Sequence, residues 1–224
     1  MKTAICDKGH PSYGVPPRVL DRAMPPIAFI LLGYLLGSIP FGLLLTASAG
    51  LGDIRAIGSG NIGATNVLRT GRKGLAIGTL VLDGGKGALA VLLVKAFMSA
   101  DANVLALTAG AAAVGGHNFP VWLKFKGGKG VATTFGLMLA AAPVVGVMAC
   151  TTWLVIAFIF RISSLAALVG LALAPLYALL LGYPEEAVAF AVLGVLGWIR
   201  HGANLRRLIK GEEPRIGTTS AAKP

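Results

Sequence analysis

From Ile27 to Arg200 the chain alternates long apolar tracts with short clusters of Gly, Pro or charge. The tracts cover 27–50, 75–98, 102–116, 131–145, 147–160, 163–182 and 186–200. A helix needs about 20 apolar residues to cross roughly 30 Å of hydrocarbon, and only helices or closed barrels satisfy their backbone there. The pattern predicts an all-α integral membrane protein with seven transmembrane helices. Several tracts are short, and 131–160 has barely the length for two crossings broken at Pro143 and Gly146, so five spans stand as the fallback.

Composition supports the membrane assignment. Apolar residues make up 55% of the chain and charged residues 13%, with a mean hydropathy of +0.78, a poor balance for a soluble domain. A net charge of +11 would suit nucleic acid if it lay on one continuous face. Here the basic residues fall in short strips between apolar tracts, which points to lipid or phosphate and away from nucleic acid. Arg55, Arg69, Arg72 and Lys73 follow the first tract, and Lys124, Lys126 and Lys129 the third. Arg161 follows the fifth, and Arg206, Arg207 and Lys210 the seventh.

The alternate loops carry Asp101, or Glu185 and Glu186. The positive-inside rule then places the basic set in the cytoplasm, with the N-terminus outside and the C-terminus cytoplasmic. Lys2, Lys8, Arg18 and Arg22 argue the other way and are outweighed by four later loops. Residues 1–26 are proline-rich, lack the apolar core of a signal peptide and read as a disordered arm. Residues 27–213 form the membrane domain, and 214–224 a flexible C-terminal tail. Cys6 and Cys150 offer neither a disulfide framework nor a CxxC metal pattern.

The first basic loop, Asp53 to Arg69, is dense in Gly and small polar residues. Gly58, Gly60 and Gly63 permit positive φ and close backbone approach, so that N–H groups can converge on an oxyanion. Ser59, Asn61, Thr65 and Asn66 add donors, and Arg55 and Arg69 supply countercharge. The competing account is that small residues gather wherever membrane helices pack. The GxGxxG spacing follows no strand, which excludes a dinucleotide site.

The second strip runs from Gly116 to Thr133 and sets Lys126 and Lys129 around Gly127 and Gly128. A helix starting near Gly130 would aim free N–H groups and a positive dipole end at an anion. The alternative is a simple positive-inside anchor. His117 can orient a substrate or sit as an interfacial residue beside Trp122. Asp83 and Lys86 lie inside a predicted span, either as a helix-face pair or as a wall of a substrate cavity. The tail from Arg200 to Glu213 continues as a basic amphipathic helix, on which His201 and Asn204 lie one turn apart.

Three runs, GSGNIGATN with its flanking arginines, GHNFPVWLKFKGGKGVAT from Gly116 and RHGANLRRLIKGEE from Arg200, occur in that order. Together they resemble the bacterial acyl-phosphate:glycerol-3-phosphate acyltransferases, small integral membrane enzymes of phospholipid synthesis. The resemblance implies seven spans in the bacterial inner membrane, an outside N-terminus and a cytoplasmic active site. It implies transfer of an acyl group from acyl phosphate to the 1-hydroxyl of glycerol 3-phosphate, giving lysophosphatidic acid and phosphate. It further implies that no cofactor, metal, acyl-CoA or acyl-carrier protein is required.

By the same resemblance Ser59, Asn61, Thr65, Asn66, Arg69, Lys126 and Lys129 hold phosphate, and His201 and Asn204 position glycerol 3-phosphate, with His117 as an addition. Ser59, Arg69, Lys129 and His201 would be the catalytic set. Arg55, Gly58, Gly60, Gly127 and Gly128 would complete the binding loops. The chain departs from the family at Gly202 and Ala203, where Arg and Glu are usual, and in its long N-terminal arm.

Acyl phosphate is a mixed anhydride with a good leaving group, so positioning and charge neutralisation suffice without a covalent nucleophile. The chain has no GxSxG, and no Asp lies five residues after any of its histidines. A transporter of phosphorylated metabolites is the main rival, opposed by the lack of an internal repeat and by cationic strips confined to one side. A lipid-contacting scaffold would leave both glycine loops idle.

Overall fold

The computed structural model describes residues 24–99 and 102–217. The expected disorder of the arm before Met24, the charge of Asp101 and residues 218–224 lie outside the described residues. Ten α-helices are present, and no strand occurs among the described residues. They are α1 (Pro26–Ser38), α2 (Phe41–Ser48), α3 (Ala64–Leu68), α4 (Lys73–Phe97), α5 (Asn103–Asn118), α6 (Val131–Ala141), α7 (Pro143–Phe160), α8 (Ser163–Leu180), α9 (Pro184–Arg200) and α10 (Gly202–Ile209).

Among the described residues five stretches are long and apolar enough to cross a membrane: Pro26–Ser48, Lys73–Phe97, Asn103–Leu123, Pro143–Phe160 and Ser163–Leu180. A sixth arises if α9 and α10, bent by 65° at His201, are taken together. The tract expected over 131–145 is an 11-residue helix, too short by itself for a full crossing. Phe158, Leu180 and Ile199 are among the many large apolar side chains left exposed on the outside, as lipid contact demands.

Helices α1 and α5 pack together, α4 lies against α5 and α6, and α7, α8 and α9 follow in sequence. Small residues set these contacts. A Cβ on Gly37 would lie 2.0 Å from the Ala113 carbonyl oxygen, and one on Gly136 1.9 Å from that of Gly84. Backbones this close exclude any side chain and gain dispersion contacts in a medium that offers no hydrophobic drive.

Two lysines inside the apolar tracts have a structural use. Pro40 breaks the first span between α1 and α2, leaving carbonyls without helical donors. Lys86 Nζ donates to Ile39 O at 3.0 Å across that break and pairs with Asp83 at 2.9 Å. Lys95 Nζ donates to Ala140 O and Ala141 O, at 2.8 and 3.0 Å, where α6 ends. Each satisfies backbone that hydrocarbon cannot.

The lengths of α6 and α7 create a recess. They pack side by side and are joined at Ala142–Pro143. At 1.5 Å per residue, 18 residues rise about 27 Å and 11 about 16 Å, so α6 stops roughly 10 Å short of the level at which α7 ends. Gly146, read from sequence as a second break, lies within α7. A Cβ there would sit 2.5 Å from Leu139 N, so the glycine lets the two helices close into a tight hairpin.

Candidate active site

A cavity of about 800 Å³ occupies the recess above α6. Its floor is Gly130, Val131 and Ala132, the first residues of a helix that has no side-chain cap. Uncapped N–H groups at the end of an 11-residue helix present partial positive charge to the cavity. Gly130 turns the chain into α6 with φ of +76°, a conformation costly for other residues.

Lys129 stands beside this helix end. Its Nζ donates to Asn204 Oδ1. Burial brings its pKa down to about 8; Arg207, Arg69 and Arg200 push the same way and Glu213 opposes them. Arg69, also lowered chiefly by burial, lines the cavity from the opposite loop. Lysine and arginine are thus packed close enough to feel one another, an arrangement favourable once an anion lies between them.

Asn66 shapes the first loop. Buried at 1% exposure, it donates from Nδ2 to Ile54 O at 2.8 Å and accepts from Ser59 N and Arg69 Nη1, both at 3.2 Å. With Nδ2 committed to Ile54 and Oδ1 to Ser59 and Arg69, it is a strut, where the sequence had suggested a phosphate donor. A Cβ on Gly58, where φ is +56°, would strike Asn66 Oδ1 and Arg69 Nη1 at 2.7 Å. Ser59 is left exposed at the rim, and Thr65 Oγ1 meets Ser163 Oγ at 3.0 Å.

The third wall comes from the bend after α9. His201, 2% exposed, lies with Nδ1 2.7 Å from Gly197 O. The carbonyl can only accept, so Nδ1 carries the proton and Nε2 of the neutral ring is an acceptor. Asn204, one turn on, links Lys129 to Glu213. The Glu213 carboxylate accepts from Asn204 Nδ2, from Ser164 Oγ at 2.7 Å and from Arg207 Nε at 2.7 Å. Gly202 faces open space and Ala203 is exposed, so the two departures from the family pattern point away from the cavity.

The structure gathers Ser59, Asn61, Thr65, Asn66, Arg69, His117, Lys129, His201 and Asn204 around one cavity. It does not bring Arg55 or Lys126 there. Arg55 is exposed and forked onto Asp53, and Lys126 is exposed. Gly58 and Gly60 hold the first loop from behind. Gly127 and Gly128 offer carbonyls to Arg200, with Nη2 at 3.0 and 2.9 Å, and a Cβ on Gly128 would lie 2.1 Å from His117 Nε2. They are packing positions. Sequence reasoning passed over Arg200, Ser164 and Glu213 as site residues, although Arg200 and Glu213 lie within the third run.

Away from the charges the cavity becomes apolar, walled by Leu80 and Val81 of α4, Phe135 and Leu139 of α6, and Trp153 and Leu154 of α7. Leu80, Val81 and Leu154 are 53%, 64% and 60% exposed, so this limb opens sideways toward lipid. Asp83 also lines the cavity, with His117 Nδ1 at 3.6 Å, beyond hydrogen-bond reach. Lys86 turns instead to Ile39, so Asp83–Lys86 is a helix-face pair with a structural second bond.

The cavity of this helical membrane protein is cationic at one end and apolar at the other, a lining suited to a phosphate-bearing amphiphile. The sequence profile of the glycerol-3-phosphate acyltransferases matches residues 27–211, and the chain belongs to that family. It is 64% identical to the glycerol-3-phosphate acyltransferase of Rhodospirillum rubrum, over 92% of this chain and 99% of that protein. Identity to the Paramagnetospirillum magneticum enzyme is also 64%, over 85% and 94%. Its fold is similar to that of PlsY, an integral membrane glycerol 3-phosphate acyltransferase solved in its glycerol 3-phosphate form. There the TM-score is 0.81 and identity 38%, over 86% of this chain and 96% of that one. The lysophosphatidic acid form of PlsY gives 0.79 and 37%.

Proposed function

We propose that this protein transfers an acyl group from acyl phosphate to the 1-hydroxyl of glycerol 3-phosphate, giving lysophosphatidic acid and phosphate. The observation that carries the reading is the joining, in one cavity, of a cationic end to an apolar limb open to lipid. Both substrates bear phosphate, and one bears a chain. Family membership and the glycerol 3-phosphate and lysophosphatidic acid forms of the similar PlsY structure support it.

In this reading Lys129 and the start of α6 neutralise the phosphate of acyl phosphate, while Arg69 and Ser59 hold it from the first loop. His201 Nε2 and Asn204 orient glycerol 3-phosphate, with Asn61, Thr65 and His117 bounding its space. The hydroxyl oxygen bonds the acyl carbon, the acyl C–O bond to phosphate breaks, and the hydroxyl proton passes to a phosphate oxygen. Fixed cations stabilise charge as it moves to the leaving group, without a covalent intermediate. Exposed Arg55 and Lys126 attract the anions, and Gly58, Gly60, Gly127 and Gly128 keep the loops close-packed.

Seven crossings in a bacterial inner membrane, the fourth shared between α6 and the chain leading into it, would put the basic strips between the spans on the cytoplasmic face and the N-terminus outside. Purified protein in detergent micelles, given acyl phosphate and glycerol 3-phosphate, is expected to release phosphate and form lysophosphatidic acid. Turnover with acyl-CoA or acyl-carrier protein as donor, and none with acyl phosphate, would overturn the reading.

A further inference from the structure

Residues 214–217 lie past the last position matched by the family profile, yet they line the cavity. Pro214, Arg215 and Gly217 are also exposed, so among the described residues this segment stands between cavity and outside. It is tied down at both ends. At one end the Glu213 carboxylate is clasped by Ser164, Asn204 and Arg207. At the other, Ile216 N donates to Arg161 O at 2.6 Å, and Arg161 Nη2 donates back to Ile216 O at 3.1 Å.

Arg161 caps α7 with φ of +58°, a left-handed conformation unusual for a long side chain and paid for by neighbouring structure. It belongs to none of the three cationic runs. Because α7 ends above the start of α6, a segment tied to Arg161 spans the mouth of the recess that holds the reacting groups.

We propose that residues 214–217 keep water off the acyl carbon, and that Arg161 is the positioning residue that holds them in place. The inference rests on the acyl-phosphate reading above. An acyl phosphate bound beside charges that favour attack by a hydroxyl is equally open to water. Water oxygen would bond the acyl carbon, the C–O bond to phosphate would break, and fatty acid and phosphate would leave with the proton on phosphate. A closed wall suppresses this side reaction.

The test compares phosphate release with and without glycerol 3-phosphate, in the full-length protein. Wild type settles the parent reading first: lysophosphatidic acid must form. Arg161→Gly suits the left-handed backbone and removes the guanidinium; Ile216→Pro removes the N–H that meets Arg161 O. Each is expected to raise glycerol-3-phosphate-independent phosphate release roughly tenfold, the population change for losing one hydrogen bond. Transfer should fall relative to hydrolysis at unchanged melting temperature, and Arg161→Lys, which keeps a donor, should restore much of the ratio. A wild-type ratio of hydrolysis to transfer in both folded variants would overturn the proposal while leaving the transferase reading intact. Should Arg161→Gly fail to fold, Ile216→Pro, which lies outside every helix, decides alone.

Discussion

At the scale of single residues, two positions set the chemistry's requirements. Lys129→Ala and Ser59→Ala are expected to lower kcat/KM by at least about a hundredfold, the loss typical of a preorganised oxyanion donor, with the fold intact by melting temperature. Near-normal rates in both would remove the phosphate cradle. Lys129 also predicts a pH profile. Its pKa of about 8 belongs to the free protein, and only the ammonium neutralises phosphate, so kcat/KM should fall as pH rises through that value. Lys129→Arg stays charged and should move the descending limb upward even at a lower maximum. What was legible here depended on type and spacing. His201 and Asn204 face inward because they are one turn apart, and the same periodicity turns Gly202 and Ala203 outward. Lys126 and Arg55 were not separable from Lys129 and Arg69, since topology and phosphate binding place cations on the same loops. Glu213 stood in the sequence only as the end of the basic tail, because nothing in its spacing announces the three donors that meet it.

At the scale of elements, the breaks matter more than the spans. Lys86→Met would strand Asp83 as a buried unpaired charge and leave Ile39 O without a donor, an expected cost of about 3–5 kcal/mol. Thermal unfolding in detergent measures it, and adding Asp83→Asn should recover part of the loss. Lys95→Met should cost less, about 1–3 kcal/mol, because it uncovers carbonyls without stranding a charge. The apolar tracts made the long helices plain from sequence. The division of 131–160 was only half visible: Pro143 does start α7, but Gly146 serves contact with Leu139 rather than a break. A glycine that ends a helix and one that admits a neighbour look alike in sequence.

At the scale of the whole molecule, charge alone argued a topology that can be read directly. With Cys6 and Cys150 both replaced by Ala, single cysteines at Lys124 and Gly182 should label with a membrane-impermeant maleimide from opposite sides, Gly182 from outside in intact cells. Labelling of both from one side would leave an even number of crossings between them and remove α6 as a span. The short α6 has a larger consequence. In the proposed reaction its low ending lets a solute dissolved in water and a chain dissolved in lipid meet without either leaving its own solvent, so the protein would work as a phase-transfer catalyst. For such a catalyst the effective concentration of the chain-bearing partner is its mole fraction in the bilayer. Diluting the membrane with inert lipid should therefore slow the reaction even when every bulk concentration stays fixed.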